Sequence, residues 1–316
     1  MFGERGARPI RKKSNRVRDP YGAQAMQGFV SLKTGKPNRE RPRALLLLLL
    51  AAFLWSLGGT LIKMVHWHPM AIAGMRSAIA AVLIRIVFRE MSFTWSFDQV
   101  GGAVAYACTV VSFVVANKMT TAANVILLQY TAPIHAALFG AWFLGERASR
   151  LDWATILFAL AGMALFFFDR LTTAGLWGNI VALGSGVSYG WLALFLRRQK
   201  SGSPMESVFL GNVLAALAGL PFMFGPVPGT TDWIGLVLLG VIQLGLPYIL
   251  YAIAIRHVSA VESLLIPMVE PVLNPLWAFL FLAEVPGRMS LLGGLIILGA
   301  VTARGAIPLL RANPER

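Results

Sequence analysis

The stretch LQYTAPIHAALFGAWFLGER, Leu128–Arg147, decides the fold because it recurs: a shift of 138 residues lands on IPMVEPVLNPLWAFLFLAEV, Ile266–Val285. Pro133 falls on Pro271, Leu138 on Leu276, Phe143 and Leu144 on Phe281 and Leu282, Glu146 on Glu284, and Arg150 on Arg288. Upstream, without a gap, Lys118 falls on Arg256 and Ala122 on Ala260. Apolar composition alone would match leucines. Here a proline inside an apolar run coincides, and so does a carboxylate followed by an arginine. The chain reads as a duplicated membrane domain.

Composition agrees. Of 316 residues, 57% are hydrophobic and 13% charged, and the mean hydropathy is +0.67. Soluble domains carry about 25% charged residues, so this chain has too little polar surface for water. The lone cysteine, Cys108, excludes an intramolecular disulfide and a multi-cysteine metal site. The net charge of +14 suggests nucleic acid until it is located. Residues 1–43 hold 12 Lys or Arg against Glu4, Asp19 and Glu40. No nucleic-acid partner is expected. Residues 1–42 contain no apolar run of signal-peptide length and are expected to be a disordered basic cytoplasmic tail lying against anionic lipid. A start of translation at Met26 is the alternative.

A spanning helix needs about 20 apolar residues. Ten segments qualify: 43–64, 69–88, 98–117, 121–144, 150–168, 175–197, 204–224, 231–255, 260–282 and 288–310. They divide into a first repeat, 43–168, a second, 175–310, and a short tail, 311–316. With the N-terminus inside, Arg85, Arg89, Arg147, Arg150, Arg197, Arg198, Lys200, Arg256, Arg304, Arg311 and Arg316 collect on the cytoplasmic side. The other side collects only Lys63, Arg76, Lys118, Arg170 and Arg288. The bias places both termini in the cytoplasm. Five segments per repeat is an odd number, so the repeats must run in opposite directions, with a site between them near the midplane.

Several residues carry a resemblance to a known family. They are Trp55 followed by Lys63, Pro69 through Arg76, Pro133 through Gly145-Glu146, and Glu270-Pro271 through Phe281-Leu282-Ala283-Glu284. On these the chain resembles EamA-type members of the drug/metabolite transporter superfamily over residues 44–310. The resemblance implies an all-α integral membrane protein with ten transmembrane helices as two inverted five-helix repeats. It does not give the cargo, because that scaffold carries amino acids, nucleotide sugars, cofactors, quaternary amines and drugs. The chain departs from the pattern at Ala283, where glycine is usual, and carries polar His135 and Asn274 in its proline-containing segments.

Glu270 is the leading site residue. It lies about ten residues into its segment, hence about 15 Å deep at 1.5 Å per residue. A charge there must face protein or water. Pro267, Pro271 and Pro275 surround it, and each proline frees a backbone carbonyl. A cavity carboxylate that binds an ammonium group or takes up a proton is one reading; a structural acid paired with a buried arginine is the other. Arg76, too deep to snorkel, is expected in an ion pair or gate. Lys63 shares that role in principle but sits close enough to the outer end to snorkel. Trp55, Gln129, Tyr130, Tyr189, Tyr248 and Asn274 complete the expected substrate site, an apolar cavity with a few convergent polar groups. Helix–helix hydrogen bonding is the alternative role for any of the polar ones. Trp67, Trp95, Trp177 and Trp233 read as an aromatic belt, and Asp152, Asp169 and Asp232 as helix caps or solvated charges. His66 and His68 lack a third ligand, so no metal is expected, and no phosphate-cradling loop is encoded.

The expectation is a secondary-active transporter in the inner membrane of a bacterial-type cell, working by alternating access. It would move a small amino-acid-like metabolite or a drug-like compound outward; the coupling ion stays open, a proton being one candidate. Import of a metabolite or cofactor on the same scaffold stays open, as does a homodimer. A membrane-embedded lipid-modifying enzyme is a distant alternative, because Cys108 stands alone and no histidine cluster exists. No catalytic residue and no cofactor are expected.

Overall fold

The computed structural model describes residues 40–168, 175–202, 204–225, 228–273 and 287–311, which form helices and connections with no strand among them. Nearly all of the basic tail, and also Asn274, Asp169, Arg170 and Glu284, lie outside the described residues.

The helices of the first repeat are α1 (Glu40–Trp55), α2 (Gly58–Met64), α3 (Pro69–Val87), α4 (Phe97–Met119), α5 (Ala122–Gln129), α6 (Ala132–Leu144) and α7 (Arg150–Phe166). Those of the second are α8 (Leu176–Arg198), α9 (Pro204–Gly219), α10 (Thr230–Leu238), α11 (Leu246–Ala254), α12 (Ala260–Leu265) and α13 (Arg288–Arg311). A π-helical stretch, Leu239–Gly245, joins α10 to α11, and a 3₁₀ stretch, Ile266–Val269, follows α12. Many starts carry the caps that their sequences predict. Ser96, Thr121, Ser149 and Ser259 each accept a backbone N–H three residues on.

Seven described helical stretches are long and apolar enough to cross a membrane: 69–87, 97–119, 122–144, 176–198, 204–222, 230–254 and 288–307. The expected segment at 43–64 is not one continuous helix. It breaks at Ser56-Leu57, where the Ser56 hydroxyl donates 2.6 Å to the Phe53 carbonyl just ahead of Gly58-Gly59. The segment at 150–168 is helical for only 17 residues, and the one beginning at Ala260 runs out of the described residues.

The closest helix pairs join the two repeats. α4 packs on α8, α7 on α13, α9 on both α3 and α4, and α1 on α11. Where α3 meets α9, a Cβ on Gly219 would stand 2.6 Å from the Gly74 Cα, so only glycine permits this approach. The main apolar core therefore lies between the repeats, and the candidate site is inside it.

Candidate functional site

Proline chemistry builds the site. A proline has no N–H to offer the carbonyl four residues back. Pro133 thus leaves the Gln129 carbonyl unserved, Pro247 that of Gln243, and Pro271 that of Pro267. At each place the helix departs from α geometry. α5 ends at Gln129 and α6 starts at Ala132. Ahead of Pro247 the backbone takes π form, with Leu246 N–H reaching back to the Val241 carbonyl. Ahead of Pro271 it tightens to 3₁₀ form, with Glu270 N–H on the Pro267 carbonyl. Irregular backbone at membrane depth is tolerated only against protein or a cavity. Gly186 of α8 supplies protein at the first break, since a Cβ there would lie 2.6 Å from the Leu128 carbonyl and 3.0 Å from that of Gln129.

The three irregular stretches, together with the end of α1, surround one cavity of about 40 Å³. Its wall includes Trp55, Arg76, Gln129, Tyr130, Tyr189, Tyr248 and Glu270, which the sequence singled out, and Thr109 and Gln243. Trp55 is the hub of an aromatic cage. Its ring lies 6.3 Å from Tyr189, 5.1 Å from Tyr248 and 5.6 Å from Tyr251, and Tyr106 stands 4.6 Å from Tyr248.

Glu270 and Arg76 are the charged members. The Tyr130 hydroxyl is 2.6 Å from Glu270 Oε2 and 2.8 Å from the Pro267 carbonyl. Arg76 is buried, at 1% exposure. It donates through Nη1 to Gln243 Oε1 and through Nη2 to the Val110 carbonyl, both at 2.9 Å, while Nε has no partner among the described residues. The ion pair expected of Arg76 is therefore replaced, among the described residues, by an amide and a carbonyl. The two uncharged acceptors orient the guanidinium and leave its charge uncompensated among the described residues, which is costly at this burial. Lys63 is exposed at the end of α2 and does not line the cavity. Gln129 Nε2 donates 2.8 Å to Ser185 Oγ on α8, so this side chain also ties the repeats together.

Sequence reasoning missed the π turn that presents Gln243, for which Pro247 was the available signal. It also missed the ionic contacts at one end of the bundle. Asp152 is indeed a cap, sharing a capping box with Ser149, but it also accepts from Arg304 at 2.5 Å. Arg304 reaches Glu262 at 3.3 Å, and Glu262 in turn pairs with Arg41. Beside them Glu146 accepts from Arg197 at 2.8 Å and from the Ala260 N–H. At the opposite end Asp232 caps α10 and accepts from the His66 N–H at 2.8 Å, while His68 caps α3 and stacks on Phe222. Both histidines thus have structural partners, and no group of three metal-binding side chains occurs among the described residues. Trp95 and Trp177 are strongly exposed, whereas Trp67 is half-buried with its Nε1 unpartnered among the described residues.

Apolar helices in two repeats around a cavity with one arginine and one glutamate define a membrane transporter. The profile of the EamA-like transporter family matches residues 42–168 and 176–303, and the chain belongs to that family. It is 29% identical to the pseudopaline exporter CntI of Pseudomonas aeruginosa over 82% of this chain and 94% of that one. It is 28% identical to an uncharacterized transporter of Archaeoglobus fulgidus over 64% of this chain and 73% of that one. A solved crystal structure of another protein matches the fold with TM-score 0.72 at 20% identity, covering 87% of this chain and all of that one. The family and these named relatives are transporters, which removes the lipid-modifying enzyme alternative.

Proposed function

We propose that the chain is a secondary-active exporter of a small zwitterionic, amino-acid-like metabolite, working by alternating access around the Trp55–Arg76–Glu270 cavity. The observation that carries this reading is that Arg76 and Glu270 line one cavity and each bonds to neutral partners instead of to the other. A guanidinium held by an amide and a carbonyl keeps a free N–H for a carboxylate. A carboxylate beside an aromatic cage suits an ammonium group. Together they match the two ends of an amino acid.

The cavity of about 40 Å³ holds water but no metabolite, since ligand pockets run to about 300–1,000 Å³. Binding therefore requires the repeats to separate. Five spans per repeat, with the repeats inverted and both termini in the cytoplasm of an inner-membrane protein, give such a motion a symmetric design. Export follows the relative named as an exporter. Import on the same scaffold would use the same residues. Glu270 also offers a proton site, and hence coupling to a proton gradient.

The test is transport in proteoliposomes, with cargo chosen by thermal-shift screening of amino-acid-type and drug-like compounds. Glu270→Gln should abolish transport driven by a pH gradient while the size-exclusion profile and Tm stay near wild type. Full activity in that variant would remove Glu270 from the mechanism. Loss of folding along with activity would make it a structural acid. Blocking either the amine or the carboxylate of the cargo should weaken binding; an indifferent response would count against the zwitterion.

A further inference from the structure

A second pocket, of about 650 Å³, opens at the end of the bundle where α1 and α7 begin and α13 ends. Four arginines line it, Arg41, Arg147, Arg150 and Arg304, against only Asp152 and Glu262. Both acids are already committed: Asp152 to Arg304, and Glu262 to Arg304 and Arg41. Arg147 and Arg150 are exposed and make no ion pair among the described residues. Two surplus guanidiniums thus face a concavity whose carboxylates are neutralised, which is an unfilled site for an anion. The pocket also has an apolar side. Leu151 and Ile307 form part of its wall, and the adjoining helices expose Leu46, Leu49 and Leu50 on α1 and Leu157 and Phe158 on α7.

We propose that this pocket binds the phosphate of an anionic phospholipid, headgroup between Arg147 and Arg150 and acyl chains along the apolar outer faces of α1 and α7. The shared chemistry is a phosphate anion on a guanidinium pair. The bordering leucines select lipid over a free anion, and basic pockets between helices at a membrane surface are suited to such headgroups. The bound lipid would rest on α7 of the first repeat and α13 of the second, and so brace the same ends that Arg304 joins.

Purified full chain in neutral detergent, melted with added phosphatidylglycerol, phosphatidylcholine or inorganic phosphate, tests this. Phosphatidylglycerol should raise Tm by several degrees and remain bound in native mass spectra. Phosphatidylcholine and inorganic phosphate should do neither. R147A/R150A should lose most of the phosphatidylglycerol shift while melting like wild type in phosphatidylcholine, and R147K/R150K should keep part of it. An equal shift with phosphatidylcholine, a full shift with inorganic phosphate alone, or an undiminished shift in R147A/R150A would each overturn the proposal.

Discussion

The Tyr130 hydroxyl stands 2.6 Å from Glu270 Oε2 and 2.8 Å from the Pro267 carbonyl, so one proton faces two acceptors. An ionised Glu270 can only accept, and the Tyr130 hydroxyl then donates to it. A protonated Glu270 can donate to the tyrosine oxygen, which frees the hydroxyl proton for Pro267. The Pro267 carbonyl belongs to the 3₁₀ turn that Pro271 imposes. The charge state of Glu270 is thereby linked to the backbone ahead of it, and Tyr130 sits on the other repeat.

Tyr130→Phe removes the donor and little volume. A hydrogen bond to a charged group contributes about 1.5–3 kcal/mol, or roughly 10- to 150-fold in a rate or affinity. Transport in proteoliposomes is expected to fall by at least tenfold, with Tm near wild type. Activity within a factor of two of wild type would show that the tyrosine only packs.

Gly58→Ala tests how Arg76 is aimed. A Cβ at Gly58 would stand 2.6 Å from Gln243 Nε2, and Gln243 Oε1 holds Arg76. The amide is a flexible side-chain end, so it should turn away without unfolding the protein. We expect weaker cargo binding, about tenfold, with little loss of Tm. Gln243→Leu should reproduce the effect. Unchanged binding in both variants would show that the Val110 carbonyl alone positions Arg76.

The repeat, and most of the cavity wall, could be read from the sequence because they depend on rare residues. Pro133 and Pro271 coincide on duplication, Glu270 is costly to place in lipid, and Trp55, Tyr130 and Tyr189 carry polar groups that seek partners at depth. What could not be read depends on pairing across the repeats. Arg304 is one more terminal arginine until the fold brings Asp152 and Glu262 to it. Gln243 as the holder of Arg76 needed the π turn, whose hydrogen-bond shift leaves no mark on apolar periodicity. The break at Ser56-Leu57 did leave a mark, the Ser56 and Gly58-Gly59 interruption of the apolar run, but a glycine pair serves equally for close helix approach.

Orientation can be checked by reporter fusions. From the charge bias, fusions after Lys200 and at Arg311 are expected to score cytoplasmic, and one within residues 225–230 extracytoplasmic. A cytoplasmic score at 225–230 would invert the assignment and place the Arg147–Arg150 pocket on the outer surface.

The Asp152–Arg304 pair is buried on both sides, at 5% and 9% exposure, and joins α7 to α13. Breaking one member of a buried pair costs about 3–5 kcal/mol, because the remaining charge is stranded. Asp152→Asn keeps an oxygen for the Ser149 cap but leaves Arg304 sharing Glu262 with Arg41. Arg304→Met strands Asp152, whereas Glu262 retains Arg41. Each single variant is expected to lower Tm by several degrees. D152N/R304M removes both charges together and should melt closer to wild type than Asp152→Asn alone. A double variant as unstable as the sum of the singles would show that the two groups do not depend on each other, and that α7 and α13 are held by their apolar contact instead.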